Sequence, residues 1–384
     1  MTANECPHCR EYADAGNRFC GACGRQVGEC PRCKEYSEIG QPFCGACGRR
    51  LGGVVNNNSP GYGPAPGGYY PVPSKPGLGF VEIILLIACV GLMIVAVLQT
   101  VIMLVNFVDV YSFLSDKMFS LFVIIPFPHT IFSIQEFALQ VYWVLLVMII
   151  VVCVIIALCE FTEKTRNFKD LAKPGATENT AVFWVAVSLC ATTLIAEIVV
   201  LLTLSAGSNV NTPDFGSQVE QLFEFANAAV WEELISRLLY IGVPMVIISL
   251  IVTRKKESLR CIIGGFEMSK TAIIFIIISS IIFGLAHYPG WGDQIWKVIE
   301  IAISGLFFGY IFVRFGLYAT ILLHFVNDYL SAIEWMSVGL ASILILLILG
   351  AGIFALFYVI KRLWNSRGTI ASLPLFKNGY VKDE

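Results

Sequence analysis

ANAAVWEELISRLLYIGVPMVIISLIVT, residues 226–253, is long and apolar enough to cross a bilayer, yet it carries Glu232, Glu233 and Arg237 inside it. Apolar runs of similar length recur on both sides, from about residue 80 to residue 364. Hydrophobic residues make up 57% of the 384, charged residues only 14%, and the mean hydropathy is +0.74. A soluble domain carries about 25% charged residues. The composition therefore excludes an ordinary soluble enzyme and predicts an all-α polytopic membrane bundle. A net charge of −2 points to no class of partner.

Eight transmembrane helices are expected, at roughly 79–106, 137–159, 180–206, 226–253, 271–288, 295–313, 317–336 and 339–364. Basic residues fall in every second loop. Lys164, Arg166, Lys169 and Lys173 follow the second span; Arg254, Lys255, Lys256, Arg260 and Lys270 follow the fourth; Arg314 follows the sixth; Lys361, Arg362 and Arg367 follow the eighth. The alternate loops hold only Lys117. This asymmetry predicts a multi-pass protein of the cell membrane with both termini, and a tail at 367–384, in the cytoplasm. The first 50 residues are polar, so no leading signal segment is expected.

Those first residues contain a repeat of period 24. CPHCREYADAGNRFCGACGR is followed by CPRCKEYSEIGQPFCGACGR, placing cysteines at Cys6, Cys9, Cys20, Cys23, Cys30, Cys33, Cys44 and Cys47. Each copy holds two C-x-x-C pairs, and two such pairs close a tetrahedron of thiolates around zinc. A reducing cytoplasm argues against the rival reading of four disulfides. The pattern resembles the double zinc ribbon, which implies two structural zinc ions in a small domain over residues 1–50. Residues 1–53 hold seven Lys/Arg and six Asp/Glu, so the head lacks a basic footprint for nucleic acid; a cytoplasmic protein is its expected partner. Residues 51–79, rich in Gly, Pro, Asn and Tyr, are expected to tether it to the membrane domain at 80–366. Cys89, Cys153, Cys159, Cys190 and Cys261 fall in or beside apolar runs and are expected to be buried hydrophobes.

Polar residues that persist inside apolar helices are costly and are therefore candidates for function. They form three clusters: Glu232, Glu233 and Arg237 in the fourth span, Phe283 to His287 in the fifth, and His324, Asn327 and Asp328 in the seventh. Helical spacing pairs Glu233 with Arg237 at i,i+4 and turns Glu232 about 100° away, without that partner. Phe283 lies one turn below His287, and both Asn327 and Asp328 share the face of His324. The bland alternative is a set of interhelical hydrogen bonds holding a bundle together.

The three motifs, E-E-x-x-x-R, F-x-x-x-H and H-x-x-x-[N/D], resemble those of the CAAX-protease and bacteriocin-processing (Abi) family over about residues 180–335. The resemblance implies hydrolysis of membrane-associated peptides or proteins, such as prenylated CAAX proteins or leader peptides. Glu232 and His287 would hold and activate a water. His324, with the residue four positions on, would stabilise the oxyanion. Many members carry Asn at that last position. Here Asp328 stands there and Asn327 precedes it, so either a protonated Asp328 or Asn327 must donate. No H-E-x-x-H is present, and a site without a catalytic metal is expected. Gly290-Trp291-Gly292-Asp293 spells G-x-G-D but follows Pro289 in a short polar loop and is taken as a turn; His129 is taken as a loop residue. The competing class is a non-catalytic scaffold, transporter or sensor with a docking head.

Overall fold

The computed structural model describes residues 79–166, 177–213, 215–253 and 256–376. The cysteine repeats, residues 51–78 of the tether, Lys169, Lys173, Arg254, Lys255 and residues 377–384 lie outside these segments.

The described chain is a helical bundle. In order it comprises α1 (Phe80–Val105), α2 (Phe107–Phe113), β1 (Met118–Ile124), β2 (Pro128–Gln135), α3 (Glu136–Lys164), α4 (Ala181–Ser205) and α5 (Gln218–Asn227). Two π-helical segments, Ala228–Glu232 and Leu234–Gly242, continue α5 into α6 (Val243–Thr253). Then come α7 (Lys270–Gly290), α8 (Ile295–Phe315), α9 (Leu317–Asp328), α10 (Leu330–Met336) and α11 (Val338–Ala371). Among the described residues, seven helical stretches are long and apolar enough to cross a membrane, the run 218–252 being one. The seventh of the eight expected spans, 317–336, is broken at Tyr329 into α9 and α10. The Tyr329 hydroxyl donates to the Leu222 carbonyl at 2.7 Å, which anchors the break against α5.

Burial follows helical periodicity, with apolar side chains on both faces. On α1 one stripe, Leu85, Cys89, Leu92, Ala96, Gln99 and Met103, is buried. The opposite stripe of Ile83, Ile87, Val90, Ile94, Val97 and Val101 is exposed, as a lipid-facing surface requires. α4 is the central post: its residues 181–192 are all buried, and it packs against α1, α8, α9 and α11. Cys89, Cys153, Cys190 and Cys261 are buried as free thiols; Cys159 is exposed.

Small residues set the close crossing of α7 and α8. A Cβ on Gly284 of α7 would lie 2.6 Å from the Val298 carbonyl oxygen of α8. One on Gly305 would lie 2.9 Å from Ser280 Cα, and one on Gly309 2.7 Å from Ile276 Cγ2. Gly305 and Gly309 are one turn apart, the spacing that lets two membrane helices touch along their backbones. α7 and α8 thus pack backbone against backbone, and α7 carries His287 near its end.

The loop expected at 107–136 is instead folded. β1 and β2 form an antiparallel two-stranded sheet with a register shift at Leu121/Phe122. Each strand is too short to register as a span. The hairpin packs on the helices through Ile124, which meets Ile235 and Ala286, with Trp231, Leu239, Tyr240 and Ile282 around them. Trp231 Nε1 donates to the Phe122 carbonyl at 2.8 Å, and the Tyr240 hydroxyl donates to the Ile124 carbonyl.

Candidate active site

The residues singled out from sequence come from three elements. The π-helical stretch supplies Glu232, Glu233 and Arg237; α7 supplies His287; α9 supplies His324, Asn327 and Asp328. A π-turn is a local widening of the helix that is frequent at functional sites. The 100° step of an α-helix therefore does not describe Glu232 and Glu233, although both conclusions drawn from it hold: Glu233 pairs with Arg237, and Glu232 does not.

Arg237 and Glu233 are both fully buried, with Arg237 Nε 3.2 Å from Glu233 Oε2. Arg237 Nη1 donates to Ser279 Oγ at 3.0 Å, and that hydroxyl donates onward to the Ser236 carbonyl. The guanidinium also lies over the rings of Phe283 and Phe308, at 4.7 and 5.2 Å from their centroids. A buried cation held by a carboxylate, a hydroxyl and two aromatic faces is a structural anchor: removing one partner leaves an uncompensated charge.

The second oxygen of Glu233 reaches α9. Its Oε1 is 2.9 Å from His324 Nδ1, while His324 Nε2 is 3.3 Å from Asp328 Oδ2. An imidazole with carboxylate oxygens on both nitrogens can satisfy both only with one N–H to each, or by sharing a proton with one of them. Each ring nitrogen of His324 thus faces one carboxylate oxygen. Asn327 is exposed and donates its Nδ2 to Asp328 Oδ1 at 3.1 Å. Of the two candidates at this motif, Asp328 is the one beside His324.

Glu232 sits between the two histidines. Its Oε2 is 3.8 Å from His287 Nε2 and 3.9 Å from His324 Nε2. Both distances are too long for a direct hydrogen bond, and this buried oxygen has no hydrogen-bond partner. His287 Nδ1 is 2.9 Å from the Phe283 carbonyl oxygen, so Nδ1 carries a hydrogen; in the neutral ring Nε2, which faces Glu232, is then an acceptor. The Phe283 ring stands edge-on to His287 at 4.9 Å, and Phe308 to His324 at 5.5 Å.

Ser279 and Phe308 went unrecognised from sequence. Ser279-Ser280 is a visible polar interruption in the apolar run of α7; Phe308 carries no signal among the many aromatics of the chain. Pro289 and Gly290 close α7 rather than lying in a loop, and the rest of the G-x-G-D segment is the turn that follows, with Gly292 and Asp293 at φ 67° and 60°. His129 belongs to β2, with Nε2 3.0 Å from the Ile125 carbonyl oxygen.

These features define a class: a polytopic helical membrane protein with a buried carboxylate–imidazole centre built from three of its helices. Residues 219–330 match the family model of type II CAAX prenyl endopeptidases, Rce1-like, and residues 6–48 match that of the double zinc ribbon. Over these two stretches the chain is similar to an Rce1-like endopeptidase domain and to a double zinc ribbon. All seven polar residues described above fall inside the first match. That family supports an intramembrane protease activity, and the second match suggests zinc binding by the head. No curated protein and no solved structure matches the chain.

Proposed function

We propose that this protein hydrolyses peptide bonds of membrane-associated peptides or proteins with a water held by Glu232 and His287. The observation that carries the reading is the pair of acceptors, Glu232 Oε2 and His287 Nε2, set 3.8 Å apart. Two acceptors at that separation are bridged by a water donating one hydrogen to each, about 2.8 Å from both. Such a water presents its lone pairs away from both groups and satisfies the otherwise orphaned carboxylate oxygen.

The water oxygen attacks the scissile carbonyl carbon while Glu232 takes its proton. The carbonyl π electrons move to oxygen, and a proton held between His324 and Asp328 stabilises that oxyanion. Collapse of the intermediate breaks the C–N bond, and the proton on Glu232 passes to the departing amine. Glu233 and Arg237 position His324, and no step requires a metal. Cells carrying Glu232→Gln should accumulate uncleaved membrane peptides that wild-type cells process. Identical peptide profiles in the two would favour a non-catalytic scaffold or transporter.

For the head, eight cysteines in two repeats support two structural zinc ions, one per repeat. For the termini, the basic loops support a cytoplasmic placement of both. The division into a head at 1–50, a tether at 51–79 and a membrane domain at 80–366 belongs to the same proposal.

A further inference from the structure

Three elements bring Glu232, His287 and Asp328 together, and one chain of aromatic rings joins the same three. Trp291 follows His287 by one turn, and its N–H donates to the His287 carbonyl at 3.1 Å. Phe225 of α5 precedes Glu232 by seven residues, and Tyr329 is the next residue after Asp328. The Phe225 and Tyr329 ring centroids are 6.3 Å apart. Phe215 completes the chain, 5.6 Å from Phe225 and 6.2 Å from Trp291. It belongs to none of the three elements but to the connection from α4 to α5. Glu232, His287 and Asp328 keep only 17, 18 and 20% of their side chains exposed. That admits water, but a peptide has to bring a backbone carbonyl within about 3 Å of the attacking water.

The same connection is fastened at a second point. Gln294, in the turn between α7 and α8, grips both backbone groups of Asn211. The Asn211 N–H donates to Gln294 Oε1, and Gln294 Nε2 donates to the Asn211 carbonyl, each at 3.1 Å. The Gln294 carboxamide is also held by its own turn: Nε2 donates to the Trp291 carbonyl at 2.9 Å, and Oε1 accepts from the Trp296 indole. It therefore keeps its place whether or not Asn211 is bound. Near the two ends of the connection, Gly207 and Gly216 have φ of 77° and 72°, the left-handed region that glycine enters freely. Ser208, Asn209, Asn211 and Thr212 are exposed. A groove of about 560 Å³ runs between Ser208 and Asn209, the end of α4 and the start of α8. Sparse burial and solvent-exposed hydrogen bonds are the marks of a segment that opens at low cost.

We propose that this connection is a lid, with Phe215 as its plug and Gln294 as its latch, and that substrate reaches Glu232 and His287 only when it lifts; this rests on the peptidase reading above. Opening parts Phe215 from Phe225 and Trp291 and breaks the two bonds between Asn211 and Gln294. Water takes over the backbone groups of the exposed Asn211. Apparent affinity for substrate is lowered by the fraction of molecules that are closed, so loosening the latch raises it.

The test compares the full-length wild type with Gln294→Ala and Phe215→Ala in phosphatidylglycerol and phosphatidylethanolamine vesicles, using a fluorogenic prenylated CAAX peptide. Gln294→Ala removes the two Asn211 bonds from the closed state alone. It should lower KM about tenfold with kcat little changed, the effect of two modest hydrogen bonds on the closed population. Phe215→Ala should lower KM in the same direction, whereas loss of a merely structural contact would not. An unchanged or raised KM in either variant would overturn the proposal. Opening is also read without turnover, by the rate at which diethyl pyrocarbonate modifies His287, located by mass spectrometry. That rate should rise about tenfold in Gln294→Ala, in step with the open fraction. Equal rates in variant and wild type would overturn the lid whether or not the peptide is cleaved. A wild type that cleaves nothing, while His287 reactivity still responds to Gln294→Ala, would count against the peptidase reading and leave the lid standing.

Discussion

His324 Nδ1 lies 2.9 Å from Glu233 Oε1, the same carboxylate whose other oxygen meets Arg237. One glutamate thus ties the fourth span to α9 and, through Arg237 and Ser279, to α7. The two adjacent glutamates are therefore different in kind: Glu233 has every oxygen engaged, whereas Glu232 has an oxygen with no partner.

Glu233→Gln should destabilise the fold. It leaves Arg237 buried and unpaired and disturbs the His324 contact, a loss of roughly 3–5 kcal/mol. Thermal unfolding in detergent checks this, and a melting temperature equal to wild type would contradict it.

At the third motif the geometry separates neighbours. Asn327 is exposed and touches only the remote oxygen of Asp328, so Asn327→Ala should change turnover by no more than about threefold, the effect of losing one exposed hydrogen bond at the low end of its usual worth. Asp328→Asn retains a donor beside His324 Nε2 and should keep most activity; Asp328→Ala should not. Steady-state kinetics of the three variants, compared side by side, test the assignment. A larger loss in Asn327→Ala than in Asp328→Ala would give the role to Asn327.

The zinc count follows from the cysteines. The full-length protein should carry about two zinc ions per chain, and replacing Cys6, Cys9, Cys20 and Cys23 by serine should leave about one. Elemental analysis of purified protein measures it. A full complement of zinc in that variant would contradict one ion per repeat.

Topology is open to cysteine labelling. With the exposed Cys159 replaced by serine, a cysteine at position 212 should react with an impermeant thiol reagent added outside intact cells, and cysteines at 168 or 258 should not. External labelling at 168 or 258 would overturn the orientation proposed from the basic loops.

Much of this architecture is legible in the sequence because hydropathy acts residue by residue. Spans at 80–105, 181–205 and 295–315 fall within a few residues of their apolar runs, and Glu232, His287 and His324 stand out as polar groups where lipid or protein should surround them. What the sequence hides is backbone and tertiary. The π-turns at 228–232 and 234–242 leave no compositional mark, and the break at Tyr329 falls within a stretch read as one span, where a distant carbonyl, that of Leu222, accepts its hydroxyl. The hairpin at 118–135 escapes for a related reason. Its strands are short, and what holds them in place are Trp231 and Tyr240, more than a hundred residues away.

The most direct test is the turnover of purified, vesicle-reconstituted Glu232→Gln beside wild type, with melting temperatures measured on the same preparations. Gln keeps the shape of Glu232 and loses its ability to take a proton from water. Turnover should fall about 10²–10⁴-fold, the usual worth of a general base, with the melting temperature unchanged. Turnover equal to wild type in a folded Glu232→Gln protein would contradict the account and return Glu232 to helix packing.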